Sequence, residues 1–216
     1  MLKKILLVIS LTIVGAISAT GQSLAANSEV GTVTRLQSTA EIVRDGKGIP
    51  LEVGSIVQEN DEINSKSDAR VEITFNDGTK LLIGENARIG IDEYLYEPKD
   101  GIGTAILSAL QGPFRFITGK ISEMKEKRLE VKTSLATIGI RGTDFWGGPS
   151  MGTYGVFLFE GTIVVFNSDG GRIVSTPGTG VDVNGMNIAP GEAEQWNEER
   201  NQLADAFEGS VKHLVE

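Results

Sequence analysis

The dipeptide Asp-Gly recurs at Asp45-Gly46, Asp77-Gly78, Asp100-Gly101 and Asp169-Gly170, in each case between short apolar runs. It is a turn signal, because glycine takes positive φ without steric cost and aspartate tolerates the left-handed region. A chain punctuated in this way folds as many short strands. Its 27 glycines against 6 prolines agree with that reading.

The stretch "VEITFNDGTKLLIG" shows the pattern in full: Val71, Ile73 and Phe75 alternate with polar neighbours, Asp77-Gly78 turns the chain, and Leu81 to Ile83 return. Ala87, Ile89 and Ile91 alternate next and are expected to pair with the strand before them. Tyr96 to Gly103 reads as a loop. The stretch "SEMKEKR" reads as an exposed connection between strands, with a short helix as the alternative. "TYGVFLFEGTIVVFNSDGGRIVST" reads as two apolar strands split at Glu160-Gly161, followed by another turn. From Gly191 helix formers take over, and Trp196, Leu203, Phe207, Val211 and Leu214 mark one stripe. The predicted architecture is all-β over residues 28–196, a solenoid-like or distorted jelly-roll sandwich of many short strands. A C-terminal α-helix over 197–216, weakened at Gly209, is expected to pack on it as a cap, a docking helix being the alternative.

Residues 1–25 read as a signal peptide: Lys3 and Lys4, the apolar run "ILLVISLTIVGAI", then small residues, with Ser23 and Ala25 suited to cleavage. The apolar run is shorter than the roughly 20 residues of a membrane span. A periplasmic or secreted mature chain without an integral membrane segment is therefore expected, an uncleaved anchor being the alternative. With no cysteine, such a chain would have neither disulfides nor a lipid held through Cys. Removing the two leader lysines takes the formal net charge from −9 to about −11. That balance disfavours nucleic acid and anionic lipid, both of which select basic surfaces.

Catalytic chemistry has little to draw on. His213 is the one histidine and lies near the end of the helical stretch, so neither a Ser-His-Asp triad nor a zinc site is expected. "NDGTK" and "NSDGGR" lack the spacing of a calcium loop. "GIRGTDFWGG" lacks both the lysine of a P-loop and the strand-to-helix context of a dinucleotide fold. The chain is expected not to be an enzyme and to need no cofactor or metal. A carboxylate pair acting on a glycan stays open, since any two of the 29 acidic residues could meet in a groove.

The sharpest motif is "VKTSLATIGIRGTDF", in which apolar alternation runs into an arginine followed by glycine. Val131, Thr133, Ala136, Ile140, Arg141, Gly142, Thr143 and Phe145 resemble the signature of FecR-type domains, V-x-T-P-x-A followed by R-G-T-x-F. Ser134 stands where that family usually has proline. "LEVGSIVQENDEINSKSDARVEITFNDGTKLLIGENARIGID" resembles the family's opening half, and Asp77 and Gly78 fall in its F-x-D-G-[ST] hairpin. Asn60 and Ser65 replace a favoured glycine and threonine. The similarity runs from about Val30 to Trp196.

From the residues themselves, Arg141 is expected to fold its guanidinium onto backbone carbonyls or onto Asp144, at a corner that Gly139 and Gly142 make possible. A partner-facing arginine is the alternative. In the best-known branch, relatives join a cytoplasmic anti-sigma segment and one membrane span to a periplasmic domain that receives a signal from a transporter. A leader at residues 1–25 would replace that cytoplasmic segment. The resemblance thus implies a non-enzymatic sensory or protein-interaction module in envelope signalling, whose partner is another exported or membrane-bound domain. A glycan- or cell-wall-binding scaffold is the second reading, and a polysaccharide-active enzyme the third.

Overall fold

Alternating apolar residues make strands wherever one face can be buried, and the turns between them are short. A computed structural model describes residues 28–212, with side chains through Ala206. The signal peptide expected over 1–25, the side chains of Phe207 and Val211, and His213 and Leu214 lie outside the described residues.

The first strands are β1 (Glu29–Gln37), β2 (Ala40–Arg44), β3 (Lys47–Pro50), β4 (Ile56–Gln58) and β5 (Glu62–Ser65). Next come β6 (Arg70–Phe75), β7 (Lys80–Ile83), β8 (Arg88–Glu97), β9 (Ile102–Gln111) and β10 (Phe114–Ile117). A 3₁₀ turn, Lys120–Glu123, leads into β11 (Glu126–Thr133), β12 (Thr137–Ser150) and β13 (Thr153–Asn167). The series closes with β14 (Gly170–Val174), β15 (Thr179–Val183), β16 (Glu194–Gln195) and helix α1 (Glu198–Lys212).

All sixteen strands belong to one sheet, whose main path runs β3-β2-β5-β8-β9-β11-β12-β10-β7-β6-β1-β4. β9 and β11 pair in parallel, which requires the crossover through β10 and the 3₁₀ turn. β6 and β8 stand far apart on that path, yet Phe75 and Tyr94 stack at 4.1 Å between ring centroids. The sheet therefore curls on itself. Its inner face holds the main core, including Val33, Ile63, Ile73, Leu107, Phe114 and Phe145. The chain is all-β with a C-terminal helix, as expected.

The Val71–Ile83 hairpin forms as read, β6 pairing with β7. Several local expectations change. β8 pairs with β5 and β9, and not with β7 before it. Tyr96 to Gly103 is a tight hairpin rather than a loop, with β8 running to Glu97 and β9 starting at Ile102. The connection "SEMKEKR" holds part of the 3₁₀ turn and the first residues of β11. The two strands expected around Glu160-Gly161 are one long strand, β13, and α1 continues through Gly209.

Candidate functional site

β12 and β13 form a long antiparallel ribbon that changes neighbours midway. Along Thr137–Gly139, β12 is flanked by β11; along Asp144–Gly147 it is flanked by β10. On the other side β13 passes from β15 to β14. The switch falls at Arg141-Gly142-Thr143, where the ribbon's register shifts between Arg141 and Asp144. Such a bulge bends both strands and needs an unusual backbone. Gly142 has φ +60°, and Gly161 opposite it has φ +86°; a Cβ on Gly161 would lie 1.9 Å from the Gly142 carbonyl oxygen. These two glycines make the corner. Gly139, expected to help, has no positive φ and stands in ordinary space.

Thr143 is buried and locks the corner through its backbone. Its N–H donates to Thr118 Oγ1 at 2.7 Å, and its carbonyl accepts from the Thr118 N–H at 2.9 Å and hydroxyl at 3.0 Å. Ile140 and Phe145, one on each side of the bulge, point into the main core. At the start of the motif, the Thr133 hydroxyl accepts from the N–H groups of Leu135 and Ala136. The Thr133 N–H and hydroxyl both donate to the Ala136 carbonyl. Thr133 therefore closes a turn in which Ser134 stands, and Ala136 is buried behind it.

The expected fork on Asp144 exists, but Arg115 supplies it. Its Nε and Nη2 each donate at 2.7 Å to the two carboxylate oxygens, and its guanidinium lies 3.9 Å above the Phe159 ring. Phe114 and Phe116 face inward, so alternation sends Arg115 to the outer face, where Asp144 waits. Arg141 is exposed instead. Its side chain lies at a shallow groove with Ser122, Lys127 and Gly142. The other eight arginines hold hydrogen-bond or ion-pair partners, for example Asp61 for Arg44 and Asp182 for Arg200. Among the described residues Arg141 has none.

The buried fastener of this region is Asp77. Its carboxylate accepts from the Thr79 N–H at 3.1 Å, the Thr79 hydroxyl at 2.7 Å, the Tyr94 hydroxyl at 2.6 Å and the Ile121 N–H at 2.9 Å. Its backbone carbonyl accepts from Lys120 N–H at 3.1 Å. Gly78, φ +87°, completes the turn. One carboxylate thus ties the β6–β7 turn to β8 and to the 3₁₀ turn beside the corner. Burial, and then the adjacent Asp77 carboxylate, hold the Tyr94 hydroxyl far above the ordinary tyrosine range.

The outer face beyond the corner carries a second apolar cluster of Leu82, Trp146, Phe157, Trp196 and Ala204. Trp196 packs against Phe157 and Trp146 with centroids 4.9 and 5.9 Å apart. Arg200 stacks 3.9 Å over its ring, donates to Ser150 Oγ at 3.0 Å and pairs with Asp182. Asn197 caps the helix by accepting from the Arg200 N–H at 3.0 Å. The described part of α1 is thus anchored by Arg200 and Ala204, while Leu203, expected in the buried stripe, is 40% exposed. The stripe missed the anchor because an arginine on an indole does not register as apolar.

Both tryptophans and Tyr94 are buried, and Tyr96 and Tyr154 are half-buried, so none of these rings offers an exposed stacking platform. Among the described residues no group of three or more His, Cys, Asp or Glu side chains could hold a metal ion. No described helix is long and apolar enough to cross a membrane. Sequence reasoning missed the Arg115–Asp144 and Arg44–Asp61 forks and the reach of Asp77. The one available signal was Arg115 between two phenylalanines, which marks an outward position on a buried strand.

Two crystal structures of a proposed anti-sigma factor from Parabacteroides distasonis ATCC 8503, at 1.65 and 2.50 Å resolution, resemble this fold. Each has a TM-score of 0.48 and 19% identity over 66% of this chain and 62% of the other. The chain therefore spans less than two thirds of those proteins, and a likeness of that size supports no conclusion about activity. No curated protein matches the chain. A family model described as FecR protein matches residues 61–164, a span that holds the Asp77 turn and the whole Arg-Gly-Thr corner. The chain carries a domain of the FecR family.

Proposed function

We propose that this protein is an exported, non-enzymatic receiver in envelope signalling, which acts by docking on another exported or membrane-bound protein domain. The observation that carries the reading is Arg141. In a chain with 29 acidic residues, a rigid corner holds this one arginine in solvent with no partner among the described residues. Its neighbours Thr143, Ile140 and Phe145 supply the stability, which leaves the guanidinium for an external acceptor. The FecR domain agrees with a regulatory role, and the apolar leader agrees with export. The glycan-binding reading is weaker, because a sugar platform favours exposed Trp and Tyr rings, and those of the described residues are buried or half-buried.

The test is photo-cross-linking in the native host from residues exposed around the corner, with the partner identified by mass spectrometry and the cell fractionated. One envelope protein cross-linked from a contiguous set of positions supports the reading. A cytoplasmic location, or no specific cross-link from any face, refutes it.

A further inference from the structure

The outer face of the ribbon continues from Arg141 into an apolar patch. Between Thr137 and Arg141 the pairing with β13 is unbroken, Arg141 opposite Thr162 and Thr137 opposite Phe166. Ile138 and Ile140 are buried, so Thr137, Gly139 and Arg141 share the outer face by the two-residue period. Across the ribbon the same face carries Thr162, Val164 and Phe166, and Ile173 of β14 lies beside Val164. Phe166 is 41% exposed and Ile173 65%. Isolated exposed apolar side chains are ordinary, but these two adjoin Val164 in one cluster. Gly139 adds no side chain between the arginine and the cluster, since a Cβ there would find nothing closer than 3.8 Å.

Resting on the docking role above, we propose that this face binds one extended acidic-apolar segment of the partner protein. Four residues separate the Arg141 row from the Phe166 row, about 13 Å at roughly 3.3 Å per residue. An extended segment presents alternate side chains to one side. A carboxylate on Arg141 therefore sets one apolar side chain at Val164 and Ile173 two positions along, and a second at Phe166 four positions along. The segment reads acid-x-apolar-x-apolar, in either chain direction. Charge selects a short segment over a broad anionic surface. The chain as a whole is acidic, net −9, and would repel a membrane or a polyanion, whereas a single segment along β13 meets Arg141, the Glu130 carboxylate opposite Gly139 being held by Arg128.

Full-length protein purified from the envelope of expressing cells is used to select binders from a random displayed-peptide library. Enriched peptides are expected to share the acid-x-apolar-x-apolar spacing. Affinity for the strongest one should fall about tenfold or more in Arg141→Glu and in Ile173→Ser, each with an unchanged melting temperature. Replacing the peptide's acid by lysine should restore binding to Arg141→Glu. Enrichment without an acid, indifference to Arg141→Glu, failure to enrich any peptide, or competition by phosphatidylglycerol vesicles would each overturn the proposal. If the native partner cross-links only from another face, docking stands and this surface assignment falls.

Discussion

Asp77→Ala should be the most damaging small change near the corner. Asp77 is 3% exposed, and its carboxylate serves four donors. Of these, the hydroxyls of Thr79 and Tyr94 can rotate, but the N–H groups of Thr79 and Ile121 are fixed by the backbone. A stranded buried donor costs about 1 to 3 kcal/mol. Two of them, with the two hydroxyl bonds also lost and the carboxylate's desolvation cost relieved, give a loss of about 3 to 5 kcal/mol. Asp77→Asn keeps the shape and one acceptor but turns an NH₂ toward donors, so it should lose about half as much. In a chain of this size each kcal/mol lowers the Tm by about 2 to 4 °C, so Asp77→Ala should melt about 6 to 20 °C below the parent. Urea unfolding should show a lower midpoint with unchanged slope. A loss below about 1 kcal/mol with intact spectra would mean that the network is not a fastener and that the 3₁₀ turn is held by something else.

Arg141→Ala should leave stability within about 0.5 kcal/mol, as expected of an exposed, unpaired side chain. By contrast Arg115→Ala, which strands Asp144, should cost about 3 kcal/mol, with Arg115→Lys recovering little because an ammonium cannot make the fork. Equal urea midpoints for the two alanine variants would refute that assignment. Gly161→Ala should cost about 3 kcal/mol or prevent folding, since its Cβ would overlap the Gly142 carbonyl at positive φ; a near-normal Tm would show that the corner can relax. Folding should also weaken in alkali. Burial raises the pKa of Tyr94 and Tyr154 in the folded state, so their contribution is complete below about pH 10 and is lost as pH rises further. Urea titrations from neutral to strongly alkaline pH should show that fall, and Tyr94→Phe should flatten part of it; a flat profile would contradict the burial of both hydroxyls.

The local features of this protein are legible in its sequence because they depend on residues a few positions apart. The Val71–Ile83 hairpin, the glycine at Gly142 with positive φ and the switch from strands to helix near Trp196 all follow from spacing and turn chemistry, and the FecR signature from a contiguous motif. What the tertiary structure decided are pairings between distant residues. Asp77 reaches Ile121 across 44 positions, Arg115 reaches Asp144 across 29, and Arg200 reaches Ser150 across 50. No periodicity encodes which of two arginines, Arg115 or Arg141, will face a given carboxylate. The answer depends on the bulge that shifts β12 by register, and a one-residue shift moves every side chain to the other face. So the motif's position was readable while its polarity was not: the register shift set Asp144 and Phe159 against Arg115 on the outer face and left Arg141 in solvent.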